Sequence, residues 1–249
     1  MNIFTKLMND QQQKYRFRFK QFGINDDKCA MKIGTDGVLL GAWCDISSAN
    51  NILDIGSGSG LISLMIAQRS NALITGIEID NDAAEQSIEN INSSPWSNRI
   101  TIENSNFIDW AQNESLFGEF DHIVSNPPFF NSGPIAPSST RAMARHEYSL
   151  NYEQLIKLSI PLLTPDGKIS IISPIERKDD ITYFCELYQL NISRLTLISP
   201  KPNASPNRIL WEISKQKCTT IQEHICIRNE FNQYSNNYIS LTKDFYLNF

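Results

Sequence analysis

A chain of 249 residues has room for one large α/β domain, and its 41% hydrophobic and 20% charged residues are those of an ordinary soluble globular protein. No apolar run approaches the length needed to cross a bilayer, the first residues lack the form of a signal peptide, and a cytoplasmic protein is expected. A net charge of −5 argues against binding nucleic acid over the whole surface but leaves room for a local basic patch.

The five cysteines (Cys29, Cys44, Cys185, Cys218, Cys226) are odd in number and form no CxxC pair, and the three histidines are scattered. Reduced thiols are expected, with neither a disulfide framework nor a metal site.

Residues 1–13 are polar and are expected to be disordered. In the following tract, read as a strand, Tyr15, Phe17 and Phe19 share one face while Lys14, Arg16, Arg18 and Lys20 share the other. Such a face is either a phosphate-contacting ribbon or a charged edge that discourages aggregation. Gly34-Thr35-Asp36-Gly37 then leads into the apolar residues 38–43, a cap followed by a short buried helix.

From there strands and helices alternate. Strands are expected at Asn51–Ile55 and residues 72–79, 100–103, 121–125 and 168–173. Helices are expected at Leu61–Arg69 and residues 82–92, 152–163 and about 177–190. Such alternation implies a mostly parallel sheet covered on both faces. Residues 192–198 and Arg208–Ser214 flank a Pro/Asn-rich loop and read as a closing antiparallel hairpin, and residues 238–249 read as a final strand and helix.

The segment Asp54-Ile55-Gly56-Ser57-Gly58-Ser59-Gly60-Leu61 carries the chain from strand into helix. Glycines there allow a tight turn and close approach of a ligand. Glu78 closes the next strand, 20 residues after Gly58, the distance for an acid that grips a ribose hydroxyl. A dinucleotide site would space its glycines as GxGxxG, whereas here they fall as GxGxG. With Asp54 ahead of them, the segment resembles motif I of the S-adenosylmethionine-dependent methyltransferases. In that reading Asp54, Gly56, Gly58 and Gly60 hold the amino-acid end of the cofactor and Glu78 the ribose. The adenine sits near Asn106 and Phe107, where Asn106 replaces a frequent acid and Asp109 is the alternative acceptor. Thr35 and Asp36 complete the expected cofactor-binding set.

The apolar run ending at Ser125 stops abruptly in Asn126-Pro127-Pro128-Phe129-Phe130. Two prolines cannot continue a central strand, so the chain must leave the sheet extended, at the edge where doubly wound folds place ligands. The chemistry of a planar nitrogen explains these residue types. Its lone pair is delocalised, and two acceptors placed at its two N–H bonds draw it toward tetrahedral geometry. The side-chain oxygen of Asn126 and the carbonyl of Pro127 are candidates for those acceptors, and Phe129 for stacking on the planar acceptor. Asn126, Pro127, Pro128 and Phe129 are thus the expected catalytic loop.

Taken together the chain resembles the bacterial tRNA1(Val) (adenine-37-N6)-methyltransferases. The resemblance rests on Phe19-Lys20-Gln21-Phe22, the block from Cys29 to Gly37, Leu39-Leu40-Gly41-Ala42-Trp43, Glu89-Asn90-Ile91-Asn92, Ser94-Pro95-Trp96 and Phe245-Tyr246-Leu247, and it spans nearly the whole chain. It implies an α/β, Rossmann-like S-adenosylmethionine-dependent methyltransferase fold, with a mostly parallel seven-stranded sheet and a C-terminal antiparallel hairpin. One domain is expected over residues 14–249: an N-terminal extension (14–45), the core (46–215) and a C-terminal extension (216–249). It further implies S-adenosylmethionine as cofactor, no metal, and transfer to N6 of the adenosine beside the anticodon of a valine tRNA, with a monomer expected. Lys14, Arg16, Arg18 and Lys20, with Lys28 and Lys32, become candidates for phosphate contact, and Arg141, Arg145 and His146 for holding the anticodon arm. A release-factor glutamine N5-methyltransferase or an rRNA base methyltransferase shares the Asn-Pro-Pro-aromatic loop and is the nearest alternative.

Overall fold

The computed structural model describes residues 15–128 and 150–249. Lys14, Phe129, Phe130, Arg141, Arg145 and His146, and the expected disorder of residues 1–13, lie outside the described residues.

A short hairpin of β1 (Phe17–Arg18) and β2 (Gly23–Ile24) precedes helix α1 (Thr35–Trp43). The core then runs β3 (Asn51–Ile55), α2 (Leu61–Arg69), β4 (Leu73–Glu78), α3 (Asn81–Asn92), β5 (Ile100–Asn104), α4 (Phe107–Trp110) and β6 (Phe120–Ser125). Beyond it come α5 (Tyr152–Leu162), β7 (Leu163–Pro174), α6 (Lys178–Leu187), β8 (Asn191–Ser199), β9 (Arg208–Ser214), β10 (Ile221–Cys226) and α7 (Asn236–Thr242). The large sheet is ordered β10-β8-β9-β7-β6-β3-β4-β5, and only β9 runs against its neighbours.

Adjacent residues of the central strands feed two separate cores, which is why these strands are apolar without alternation. Ile52, Ile74, Val124, Ile172 and Leu210 pack under α1 and α2, while Leu53, Ile77, Ile123, Ile171 and Ile209 pack under α5 and α6. Each such side chain, fully buried, contributes roughly 1.5–3 kcal/mol. Local caps agree with this plan. Asp80 accepts from Ala83 N at 3.0 Å to open α3, and Asn151 and Gln154 form a capping box on α5.

Three elements differ from the sequence expectations. The basic tract is a strand only at Phe17–Arg18, because Phe19 N donates to Phe22 O and turns the chain back; the alternation of buried rings and exposed cations survives. β7 begins at Leu163 rather than at Lys168. Phe120 pairs with Leu163 and His122 with Lys168, so the turn-like Thr164-Pro165-Asp166-Gly167 is extruded as an irregularity inside a continuing strand. The sheet has eight described strands rather than seven. Its extra member is β10, which pairs in parallel with β8, and the tail contributes helix α7 at Asn236–Thr242.

His122 lies inside β6, fully buried, with Nε2 2.8 Å from Ser170 Oγ. Burial pulls its pKa down from 6.5 to about 4. Between those values the unfolded chain binds more protons than the folded one, so stability is lost as pH falls from about 6.5 toward 4. Asp54 has the opposite linkage over an overlapping range, so the imidazole is isolated by comparison with His122→Gln. Urea unfolding at pH 7 and pH 5 is expected to show a smaller acid loss for the variant than for the wild type; equal losses would show that His122 does not titrate this way.

Candidate active site

β3, β4, β5 and β6 all end at one edge of the sheet, and their neighbouring register sets the site. Ser125 Oγ donates to Ile55 O at 2.8 Å, which ties the end of β6 to the start of the glycine loop. That loop is closed by Gly56 N and Ser57 N, which donate to Ile77 O at 2.8 and 3.1 Å. Gly56 has φ +71° and open space where a Cβ would stand, a concave backbone that a ligand can approach. Gly60 has φ +80° and sits so close to α3 that a Cβ would lie 2.6 Å from Ser87 Oγ, so only glycine lets α2 start there.

Asp54 is wholly buried. Its Oδ2 accepts from Ser63 N at 3.1 Å and Ser63 Oγ at 2.6 Å, while Oδ1 has no hydrogen-bond partner among the described residues. Burial pushes its pKa up to about 6; the Ser63 hydrogen bonds oppose that rise and the charge of Glu78 adds to it. An orphaned carboxylate oxygen in the interior is costly unless a ligand supplies a donor. Glu78 is nearly as buried, and burial raises its pKa as well. Gly58 N donates to its Oε2 at 2.8 Å and Asp80 N to its Oε1 at 2.9 Å, which fixes the carboxylate at the end of β4. Ser57 Oγ, in the loop, is likewise buried and without a hydrogen-bond partner among the described residues. The orphaned oxygens, the open backbone at Gly56 and the oriented acid fit a ligand with an amino-acid end and a ribose.

Asn106 is engaged locally: its Oδ1 accepts from Ile108 N at 2.9 Å and caps α4. Phe107 is buried under the second core and stacks with Trp110 at a centroid distance of 6.4 Å. Asp109 is exposed in the first turn of α4. Thr35 is exposed, and Asp36 receives a hydrogen bond from Arg208 Nε at 2.9 Å. Asn126 stands immediately past the end of β6, and Pro127 is buried. Asn126 Oδ1 is buried and has no hydrogen-bond partner among the described residues, whereas its Nδ2 faces Met31 Sδ at 3.9 Å.

Residues not singled out from sequence also border the site. The segment from Asn25 to Met31 runs across the glycine loop. It is held there by Asn90, whose Oδ1 accepts from Asn25 N at 2.9 Å and whose Nδ2 donates to Asn25 O and Ser59 O at 2.8 and 2.9 Å. This brings the buried Cys29 thiol into the field of Glu78, and burial pushes its pKa up to about 11, so it is a packing group and not a nucleophile. Ile79, directly after the acid, is 54% exposed, an apolar face beside the expected ribose position. An apolar residue following an acid at a strand end is a signal that could have found it.

Of the cations expected at RNA, Arg16 pairs with Asp26 at 3.3 Å and Lys28 with Glu89 at 2.8 Å. Lys20 Nζ donates to Lys243 O and Phe249 O at 2.6 and 2.9 Å, and Lys32 Nζ to Asp26 O and Cys29 O at 2.6 and 2.8 Å. Arg18 is exposed and makes no ion pair among the described residues. Among the described residues no cluster of histidine, cysteine and acidic side chains could hold a metal ion, and no helix is long and apolar enough to cross a membrane.

Residues 33–175 match the family model described as the methyltransferase small domain. The chain is 45% identical over 234 residues to the tRNA1(Val) (adenine(37)-N6)-methyltransferase of Phocaeicola vulgatus, covering 93% of this chain and 97% of that protein. It is 40% identical over 247 residues to the enzyme of the same name from Mannheimia succiniciproducens, covering 98% and 100%. This chain belongs to the tRNA1(Val) (adenine(37)-N6)-methyltransferase family. Among solved structures, a predicted O-methyltransferase from Agrobacterium tumefaciens superposes with a TM-score of 0.68 at 19% identity, over 84% of this chain and 96% of that one, a likeness of fold. The match to family members is nearly end to end, so it includes the hairpin ahead of the small-domain match as well as β10 and α7 beyond it.

Proposed function

We propose that this chain transfers a methyl group to the exocyclic N6 of an adenosine in tRNA, adenosine 37 of tRNA1(Val), acting in the cytoplasm as a monomer. The methyl donor is S-adenosylmethionine, whose sulfonium supplies an electrophilic methyl group when bound. The observation that carries the reading is the buried Oδ1 of Asn126, at the same sheet edge as the buried Oδ1 of Asp54, both without a hydrogen-bond partner among the described residues. One is an acceptor waiting for an N–H of the substrate; the other is an acceptor waiting for the donor molecule.

In this mechanism Asp54 and the loop at Gly56, Gly58 and Gly60 receive the amino-acid end of the cofactor, and Glu78 accepts from the ribose. Ile79 and Phe107 border the adenine, with Asn106 or Asp109 as the candidate polar neighbour. Asn126 Oδ1 and the Pro127 carbonyl would accept from the two N–H bonds of the acceptor amine, localise its lone pair and stabilise the positive charge that develops as the new N–C bond forms and the methyl–sulfur bond of the donor breaks, leaving S-adenosylhomocysteine. The amine then loses one proton to water or solvent-exposed groups. Pro127 and Pro128 hold the loop extended, and Phe129 stacks on the base. Arg16 and Arg18, on the exposed face of the hairpin, are candidate phosphate contacts, together with Lys14, Arg141 and Arg145.

Glutamine N5 of a release factor and an rRNA base pose the same nucleophilicity problem, so the acceptor needs a direct test. The protein is given labelled S-adenosylmethionine with total tRNA from cells lacking the modification, with ribosomal RNA, or with release factor. Label is expected in tRNA. Label in protein or rRNA alone overturns the substrate assignment.

A further inference from the structure

The strand β9 begins at Arg208, which lies opposite Pro174 of β7 and Ile198 of β8 and is therefore fixed at the sheet edge that carries Asn126. Its Nε stands 2.9 Å from Oδ2 of Asp36, 172 positions earlier in the chain, and both side chains are about a quarter exposed. Asp36 lies in the first turn of α1, whose N-cap, Gly34, offers no side-chain cap. The next residue, Gly37, packs so tightly that a Cβ there would lie 3.1 Å from Leu61 Cδ2 and 3.8 Å from Asn126 Nδ2. Met31 Sδ approaches the same nitrogen at 3.9 Å. A thioether is a weak acceptor and a poor neighbour for another oxygen, so this wall favours the amide with Nδ2 toward Met31 and Oδ1 turned away from it.

We propose that the Asp36–Arg208 ion pair is a positioning latch that holds the Met31–Gly37 segment against Asn126 and thereby keeps its Oδ1 aimed at the acceptor amine. The proposal rests on the catalytic reading of Asn126. It gives Asp36 a task other than touching the cofactor. The pair joins the N-terminal block to the far side of the sheet. When the pair breaks, the first turn of α1 loses one of its ties, the wall beside Nδ2 loosens and the amide is freer to rotate. Transfer suffers, while the cofactor loop, held separately by Asn90, Ser125 and Ile77, does not.

The test compares the full-length wild type with Asp36→Asn, Arg208→Gln, Arg208→Lys and the exchanged pair Asp36→Arg/Arg208→Asp. Steady-state methylation and binding of S-adenosylhomocysteine by calorimetry are the readouts. Each single loss is expected to lower kcat about 10-fold with cofactor affinity within about twofold, Arg208→Lys to fall between it and wild type, and the exchanged pair to recover a good part of the lost kcat. The recovery separates a latch from simple damage to the fold, because a protein that is merely destabilised gains nothing from a second change. Weakened cofactor binding in Asp36→Asn without rescue by exchange would make Asp36 a cofactor ligand and overturn the latch, as would unchanged kcat in the single variants. The assay uses whichever acceptor the wild type methylates, so an acceptor other than tRNA overturns the substrate reading and leaves the latch open to the same judgement.

Discussion

Asn126→Ala is expected to lower kcat by roughly 10²–10³, the usual cost of losing one preorganised dipole aimed at developing charge. The reasoning is local. Asn126 Oδ1 is buried and has no hydrogen-bond partner among the described residues, which leaves that oxygen for a substrate donor. Its Nδ2 makes one weak contact, to Met31 Sδ at 3.9 Å, so truncation removes little that stabilises the chain. The melting temperature should therefore stay within a few degrees of wild type. S-adenosylhomocysteine should bind as before, since Asp54, Glu78 and the glycine loop are untouched. The measurement is single-turnover methyl transfer beside calorimetric cofactor binding. Loss of both together would mean that Asn126 shapes the cofactor site, and full activity would remove it from the chemistry.

The second large effect runs in opposite directions on stability and binding. Asp54→Asn should weaken cofactor affinity by roughly 10- to 100-fold, the scale of losing a charge-assisted hydrogen bond in a buried site. The free protein should be no less stable, and at pH 7–8 more so. The sign follows from the carboxyl's pKa, pushed up to about 6 in the fold from 3.8. Between those values the folded chain binds more protons than the unfolded one. The stabilising contribution of the protonated group is complete below 3.8 and is lost as pH rises through 6. At neutral pH the fold thus carries a buried carboxylate with one unpartnered oxygen. An asparagine keeps an oxygen for Ser63 N and Ser63 Oγ and removes the charge. Thermal unfolding at pH 7.5 with and without S-adenosylhomocysteine separates the two effects. A variant that is less stable alone and binds the cofactor normally would show that Asp54 serves the fold and not the site.

Much of this was legible in the sequence because the informative residues are constrained by backbone chemistry. A strand can end in Asn-Pro-Pro only by leaving the sheet, and Asn126 does stand one residue past β6. Glycines at φ +71° and +80° follow Asp54 where a strand must turn into α2. The strand β10 was hidden for a different reason. It is an exposed edge strand, polar at Gln222, Glu223 and His224, and its pairing with β8 is made by the backbone. The extruded turn inside β7 reads from sequence as a connection ahead of the strand, because Pro165 and Gly167 look the same in a turn and in a bulge. Contacts between distant segments were also beyond reach. Neither spacing nor periodicity could bring Met31 beside Asn126, Cys29 beside Glu78, or Arg208 onto Asp36, since each depends on how the N-terminal block crosses the finished sheet.

The central claim is that the loop at Asn126 directs methyl transfer to an exocyclic amine of adenine. The most direct measurement supplies the wild-type protein with S-adenosylmethionine and tRNA lacking the modification, digests the product to nucleosides and identifies the methylated species by chromatography and mass spectrometry. N6-methyladenosine, mapping to position 37 of tRNA1(Val), is the predicted product. Methylation at a ring nitrogen, a ring carbon or a ribose oxygen would contradict the account, because none of those atoms has the two N–H bonds that Asn126 and Pro127 are placed to accept.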